Sequence, residues 1–292
     1  MLIAIIGKFG QIHDEEYIAR SFESIGHQVK RIPQNTSNHD LEQALLSSKP
    51  DILLYCKWEQ PKELDKGIGN LKRNGMVTVC WLFDIYFNYT REHFVKNKSY
   101  FRSDYVFTTD GGNQNRFEEL GVNHKCVRQG IYKDECILLP FCNIEHEIVF
   151  VGSDSPIYPE RSKIARDLKA HWVGKKNTNE VRGMALNELY ASTRVVIGDS
   201  WYSPHYWSNR IVETLGRGGF LIHRDVPGLK EEYPYLVTYD GTIEDLKKKI
   251  DFYAKNDYAR RELISKNFEW VKNNYTMDKK CQELINYVKT SR

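Results

Sequence analysis

An arginine and a glutamate three positions apart stand at the head of a short polar-to-apolar stretch, "SNRIVETLGRGGFLIHRDVPGLKEEY" (Ser208–Tyr233). Ser208 is a natural N-cap, which predicts Asn209 and Arg210 in the first turn of a helix. Free N–H groups and the helix dipole attract phosphate there, and a cation at that end is locally disfavoured unless an anion binds both. Glu213 lies nearly one turn on, on the same face, where its two oxygens can accept a pair of ribose hydroxyls. The plain alternative is a surface ion pair, Arg210–Glu213 or Glu213–Arg217, worth only about 0.3–0.5 kcal/mol. Arg217-Gly218-Gly219 then closes the helix. A second anion-binding candidate is "VFVGSDSPIYPERSK": backbone N–H groups at Gly152 and Ser153 follow a strand, and Arg161 stands at the start of a helix. Taken alone, Arg161 is better read as a helix-start arginine making surface ion pairs.

Several other chemistries lack their residues. "GKFG" after the first strand is only G-x-x-G, without the dinucleotide fingerprint. No Walker sequence and no D-x-D occurs, so neither a P-loop nor a metal-bridged diphosphate is expected. Six cysteines never form C-x-x-C and several sit in apolar strands such as "VTVCWLF", which predicts reduced, mostly buried thiols and no zinc site.

The elements that must position these residues alternate. "LIAII", "HQVKRI", "DILLYC", "MVTVCWLF", "DYVFTT" and "KCVRQG" read as strands, and patterns such as "HDLEQALLSS" and "NQNRFEELG" as helices between them. "GIYKDECILLPFCNIEHE" breaks the rhythm. It restarts with "EIVFVG", "RVVIG", "GFLIH" and "YLVTY" separated by helices, and three helical segments, 242–255, 257–274 and 278–290, end the chain. Short apolar strands alternating with amphipathic helices predict parallel sheets covered on both faces, in two α/β domains with a ligand cleft at the strands' carboxyl ends.

Composition agrees with this class. At 292 residues, with 41% hydrophobic and 28% charged residues, the chain is globular and long enough for about two domains. Net charge is +3; residues 1–145 carry 18 basic and 19 acidic side chains, and residues 146–292 carry 24 and 20. That balance disfavours a nucleic-acid partner without excluding one. No apolar run spans a bilayer and no signal peptide precedes "LIAII", so a cytoplasmic protein is expected.

Four stretches, "EIVFVGS…ERSKIARDL", "LNELYASTRVVIGDS", the Ser208–Tyr233 segment and "LVTYDGTIEDLKKKIDFYAKNDYARRELISKNFEWVKNNYT", resemble in order the C-terminal domain of CgeB-like glycosyltransferases. These are relatives of retaining family 4 enzymes with the GT-B fold. The resemblance covers about residues 147–276, with fragments such as "CWLFD" and "FTTDGGN" in the N-terminal half. It implies a nucleotide-diphosphate sugar donor on the second domain and an acceptor on the first, with no required metal or cofactor. The domains would be 1–140, 141–277 and a final helix 278–292 crossing back to the first. Arg210 would match the arginine that meets the diphosphate, and Glu213 the second Glu of the E-x7-E motif, which holds the ribose. The first Glu would fall at 205, where this chain has His205, a departure that touches the transferred sugar and retention of configuration.

The expected donor-binding set is therefore Gly152, Ser153, Arg161, Ser208, Asn209, Arg210 and Glu213. Lys8, Phe9, Trp201, Tyr206 and Trp207 are the expected acceptor- or sugar-facing side chains, since aromatic faces stack on sugar C–H surfaces. In a retaining reaction the leaving phosphate can take the acceptor proton; an inverting one needs a base, and Asp84 or His205 is the candidate. The acceptor is a glycan, a small molecule or a macromolecule. The leading function is hexosyl transfer, probed against two alternatives: a sugar-nucleotide epimerase, and a non-catalytic nucleotide-sugar binding module.

Overall fold

The computed structural model describes residues 1–11, 13–87, 91–140, 142–153, 159–174 and 181–291. The chain divides into two compact units, the first made of Met1–Gln129 with Met277–Arg292 and the second of Gly130–Thr276. The first division falls ahead of residue 140 because Ile131 is committed to the second unit. Its N–H donates to the Tyr275 carbonyl at 3.0 Å, it bridges to Thr276, and its side chain is fully buried there.

In the first unit the elements run β1 (Leu2–Gly7), α1 (Asp14–Ser24), β2 (Gln28–Pro33), α2 (Asn38–Ser48), β3 (Ile52–Tyr55), α3 (Asp65–Arg73) and β4 (Val77–Leu82). There follow α4 (Glu92–Asn97), β5 (Tyr105–Thr108), α5 (Gln114–Glu119) and β6 (His124–Cys126). The six strands are parallel in the order β2-β1-β3-β4-β5-β6. β3 shows why "ILLY" makes a strand here. Ile52 and Leu54 enter one core with Ile18 and Phe22 of α1, while Leu53 and Tyr55 enter the other with Leu41 and Ile68. A strand buried on both faces has no polar alternation to show.

The second unit runs β7 (His146–Val151), α6 (Pro159–Asp167), β8 (His171–Val173), α7 (Met184–Ala191), β9 (Thr193–Gly198), α8 (Arg210–Gly216) and β10 (Leu221–Arg224). It ends with α9 (Leu229–Glu232), β11 (Val237–Tyr239), α10 (Ile243–Lys255) and α11 (Asp257–Asn274). Its five parallel strands lie in the order β11-β10-β9-β7-β8. Val195 and Ile197 of β9 face the α10 side, and Val196 faces α8.

The last helix, α12 (Met277–Thr290), belongs to the first unit. Cys281, Leu284, Ile285 and Val288, spaced to share one helix face, are all fully buried beside α1.

Candidate functional site

In the second unit the chain places one residue beside the next across the carboxyl ends of four strands. Extending the β7–β9, β9–β10 and β10–β11 registers brings Gly152, Asp199, Arg224 and Tyr239 to one level. Arg210, the first residue of α8, reaches across this edge and is only 9% exposed. Its Nε donates to the Val151 carbonyl at 2.6 Å and its Nη1 to the Asp199 carbonyl at 2.7 Å. The guanidinium also lies 4.9 Å from the centre of the Phe150 ring. These carbonyls orient the arginine at the strand ends, where it and Arg224 act on the buried Asp199 carboxyl; burial raises that carboxyl and the two cations oppose it. Gly152 makes the room: a Cβ built there would stand 2.5 Å from Arg210 Nη2, and its φ of +154° suits glycine.

Ser208 is not the helix cap expected from its type. α8 has Asn209 at its cap position, and no side-chain cap bond forms. The chain is already turning at Ser208, whose carbonyl accepts from Ile211 N at 3.3 Å. Its N–H is instead bound to Ser200 Oγ at 3.1 Å, and its hydroxyl is buried without a partner. Ser200 is held in turn by His223, which is fully buried on β10. His223 Nδ1 lies 2.7 Å from the Arg224 carbonyl and must donate; Nε2, 3.1 Å from Ser200 Oγ, must then accept. Burial pushes this imidazole down to about 4, consistent with a neutral ring. A neutral histidine thus locks both ends of the loop from Asp199 to Ser208.

Glu213 meets Arg217, the surface pairing considered from sequence, but the pair is not on the surface. The Arg217 side chain is 3% exposed. It donates to Glu213 Oε2 at 2.9–3.0 Å, to Asn187 Oδ1 at 2.5 Å and to the Gly183 carbonyl at 3.0 Å, and it pairs with Glu135. Glu135 stands in the segment that reads from sequence as a break between domains, so nothing in its spacing signals this partner. Burial alone would lower the Arg217 guanidinium's proton affinity, but the two carboxylates overrule it and hold it fully charged.

Of the remaining donor residues, Ser153 and Asn209 are exposed, and the Arg161 side chain lies outside the described residues. The aromatic loop divides. Trp207 is 2% exposed and packs edge-on to Tyr233, 6.4 Å between ring centres, and Tyr206 is also buried. These two rings build the core of the unit and do not present a face to a sugar. Trp201 is half-buried, and Tyr202 is the exposed ring, with Arg224 4.9 Å from its centre. His205 is exposed at a positive φ of 55°, its N–H bound to the Pro227 carbonyl.

In the first unit, Asp84 follows β4 and is held by Lys57 and by Arg91 at 3.0 Å. Burial raises such a carboxyl, but here the two cations win and keep it below its ordinary range. Lys8 is exposed after β1, and Phe9 is half-buried against the α1 core. Among the described residues no group of three or more His, Cys, Asp or Glu is placed to hold a metal ion, and no helix is long and apolar enough to cross a membrane.

Residues 143–286 match the family model described as Glycosyl transferase-like. No curated protein matches the chain. Among solved structures, a glycosyltransferase from Rickettsia africae ESF-5 is similar at 11% identity, over 99% of this chain and 97% of that one, with a TM-score of 0.62. The apo structure of OtsA is similar at 10% identity, over 99% of each chain, with a TM-score of 0.66. A UDP-N-acetylglucosamine 2-epimerase is similar at 8% identity, over 97% of this chain and 94% of that one, with a TM-score of 0.51. At these identities the likeness is one of fold. The two parallel-sheet units have the GT-B architecture implied by the resemblance in the sequence.

Proposed function

We propose that the protein transfers a sugar, of hexose type, from a nucleotide-diphosphate donor to a hydroxyl-bearing acceptor, in the manner of CgeB-like, family 4-related enzymes. One observation carries this reading. Arg210 is a buried cation oriented by the Val151 and Asp199 carbonyls, over a glycine, at the carboxyl edge of the sheet in the glycosyltransferase-like stretch. A charge fixed in a low-dielectric place stabilises a leaving diphosphate without reorganising as it departs. The Gly152 N–H, expected to meet the phosphate, is bound instead to the Val173 carbonyl at 2.9 Å, so Gly152 contributes by leaving space and the proposed backbone donor beside the arginine is Ser153. Glu213, steadied by Arg217, is the proposed ribose acceptor. In this reading the arginine supplies the charge that a metal would otherwise bring, and no metal is required.

The leaving-group chemistry leaves the stereochemistry to the proton. Retention, which the resemblance implies, sends the acceptor proton to the leaving phosphate. Inversion requires a protein base. His205, in place of the first Glu of the motif, favours neither by itself. Six free cysteines suit a reducing, cytoplasmic setting. The 2-epimerase that shares the fold supports one second reading, epimerisation of a sugar nucleotide. Incubation of the donor alone, with the product sugar resolved by NMR, separates an epimer from released sugar.

The test of the main reading is Arg210→Ala. A charge-assisted phosphate bond contributes about 1.5–3 kcal/mol, so affinity for UDP-glucose, UDP-N-acetylglucosamine or GDP-mannose, whichever the wild type binds, should fall roughly 10- to 150-fold. Calorimetric affinity equal to wild type would place the diphosphate elsewhere.

A further inference from the structure

A second arginine stands at the carboxyl edge of the second unit, and the donor reading leaves it unused. Arg224 ends β10, in register with Tyr239 of β11 and, by extension of the β9–β10 pairing, level with Asp199. Residues at one level of a parallel sheet project to the same face, here the α10 side, where Tyr239 packs. Two features hold the Arg224 side chain at that edge. The exposed Tyr202 ring lies against its guanidinium, 4.9 Å from the ring centre. Gly241 leaves the room: a Cβ there would stand 3.0 Å from Arg224 Nε, and its φ of +98° suits glycine.

Among the described residues the one ion pair of Arg224 is a weak one. Its Nη1 donates to Glu160 Oε2 at 3.2 Å, and the Glu160 side chain is 76% exposed. Solvent screens such a pair, so a better anion can take the guanidinium from it. The charge of Arg224 is also felt further in. Asp199 and Tyr239 are both buried, and Asp199 Oδ1 and the Tyr239 hydroxyl have no hydrogen-bond partner. Burial raises both groups, and Arg224 opposes that rise in each, joined at Asp199 by Arg210. Two arginines thus flank one buried carboxyl that is itself short of a partner, which marks a place for a ligand to complete. Gly152, over which Arg210 lies, and Arg224 are two strand spacings apart, about 10 Å. Two cations so spaced suit an anion with two charged centres better than one with a single centre.

We propose that Arg224 is a second diphosphate-binding residue: it leaves Glu160 and grips the donor's two phosphates together with Arg210, so that the site selects a nucleoside diphosphate over a nucleoside monophosphate. This rests on the glycosyl-transfer reading, which supplies the diphosphate beside Arg210. The planar fork of each arginine offers paired N–H donors to phosphate oxygens, and Asp199 eases the repulsion between the two cations while no ligand is bound.

The experiment uses the full chain and calorimetry with UDP and UMP, or with GDP and GMP where the wild type binds GDP-mannose. Arg224→Gln should weaken the diphosphate roughly 10- to 150-fold and the monophosphate by less than about threefold. Arg224→Lys, which keeps the charge and loses the fork, should fall between wild type and Arg224→Gln. Glu160→Gln should tighten the diphosphate about two- to fivefold, because the guanidinium no longer leaves a partner, and should gain nothing in the Arg224→Gln background. An arginine that only supports the fold would give neither that gain nor a loss confined to the diphosphate. Equal losses for diphosphate and monophosphate, a diphosphate loss under about threefold, or unchanged affinity in Glu160→Gln would overturn the assignment. Arg210→Ala separates the two readings. If it loses affinity while Arg224→Gln does not, only Arg224 is misassigned. If it binds like wild type, or the wild type binds neither diphosphate, the glycosyl-transfer reading fails and this assignment with it.

Discussion

Removing Glu135 tests whether Arg217 is the structural tie of the second unit. Its partner Arg217 is 3% exposed and its own side chain 10%, so the pair has little access to water. Breaking a buried ion pair by deleting one partner typically costs about 3–5 kcal/mol, because the remaining charge is left uncompensated. Here the remainder is not bare: Glu213, Asn187 and the Gly183 carbonyl still receive the guanidinium. We therefore expect Glu135→Ala to destabilise the second unit by about 2–3 kcal/mol. That corresponds to a midpoint lower by roughly 5–10 °C for a unit of this size. Glu135→Gln keeps an oxygen acceptor and should cost about half as much. The decisive measurement is the double variant with Glu213→Gln. Both carboxylates serve one cation, so their joint loss should exceed the sum of the single losses by about 1 kcal/mol or more. Urea unfolding followed by circular dichroism, fitted in separate phases for the two units, gives the three values. Strict additivity, or a Glu135→Ala cost below about 0.5 kcal/mol, would refute the claim that Arg217 is held by shared buried charge.

Three further outcomes rest on the same geometry. Glu213→Gln should weaken donor binding, and a 2′,3′-dideoxy donor should cost the wild type much more affinity than it costs the variant; equal penalties would remove Glu213 from the ribose. His223 has a folded value of about 4 against an ordinary 6.5, so below pH 6.5 the unfolded chain takes a proton that the folded chain refuses. Its contribution is complete above about pH 6.5 and declines toward pH 4 by at most about 1.4 kcal/mol per pH unit; His223→Gln should flatten that part of the stability profile, and an unchanged slope would show the ring already charged. Turnover should survive EDTA, and a loss restored only by manganese or magnesium would reveal a metal requirement.

The alternation of apolar strands and amphipathic helices is legible because it depends on local pattern. α10 and α11 start or end within a residue of the segments expected, and "RVVIG" lies within β9. Edge elements are less sharply written: "KCVRQG" contributes only a short β6, because its one neighbour, β5, pairs with it over just three residues. Arg210 and Glu213 stand out through type and spacing. What tunes them does not, because it comes from far along the chain. Glu135 is 82 positions from Arg217, Val151 is 59 from Arg210, and His223 steadies a loop that precedes it in sequence. The burial of Tyr206 and Trp207 is likewise a tertiary fact: an aromatic cluster in a loop reads the same whether its rings face ligand or core.

The place of α12 has a consequence for how the molecule is made. Its buried face completes a core whose other walls, α1 and the sheet beneath, come from the beginning of the chain. During synthesis Gly130–Thr276 emerges in between, as one contiguous block with its own interior. At about 5–20 residues per second, that block occupies the ribosome for on the order of ten seconds. Throughout that interval Ile18 and Phe22 lack their α12 neighbours, and at its end the second unit holds every residue of its own interior. The later-made unit is thus complete in sequence before the earlier one, and the apolar face of α1 keeps its last cover waiting until α12 is made.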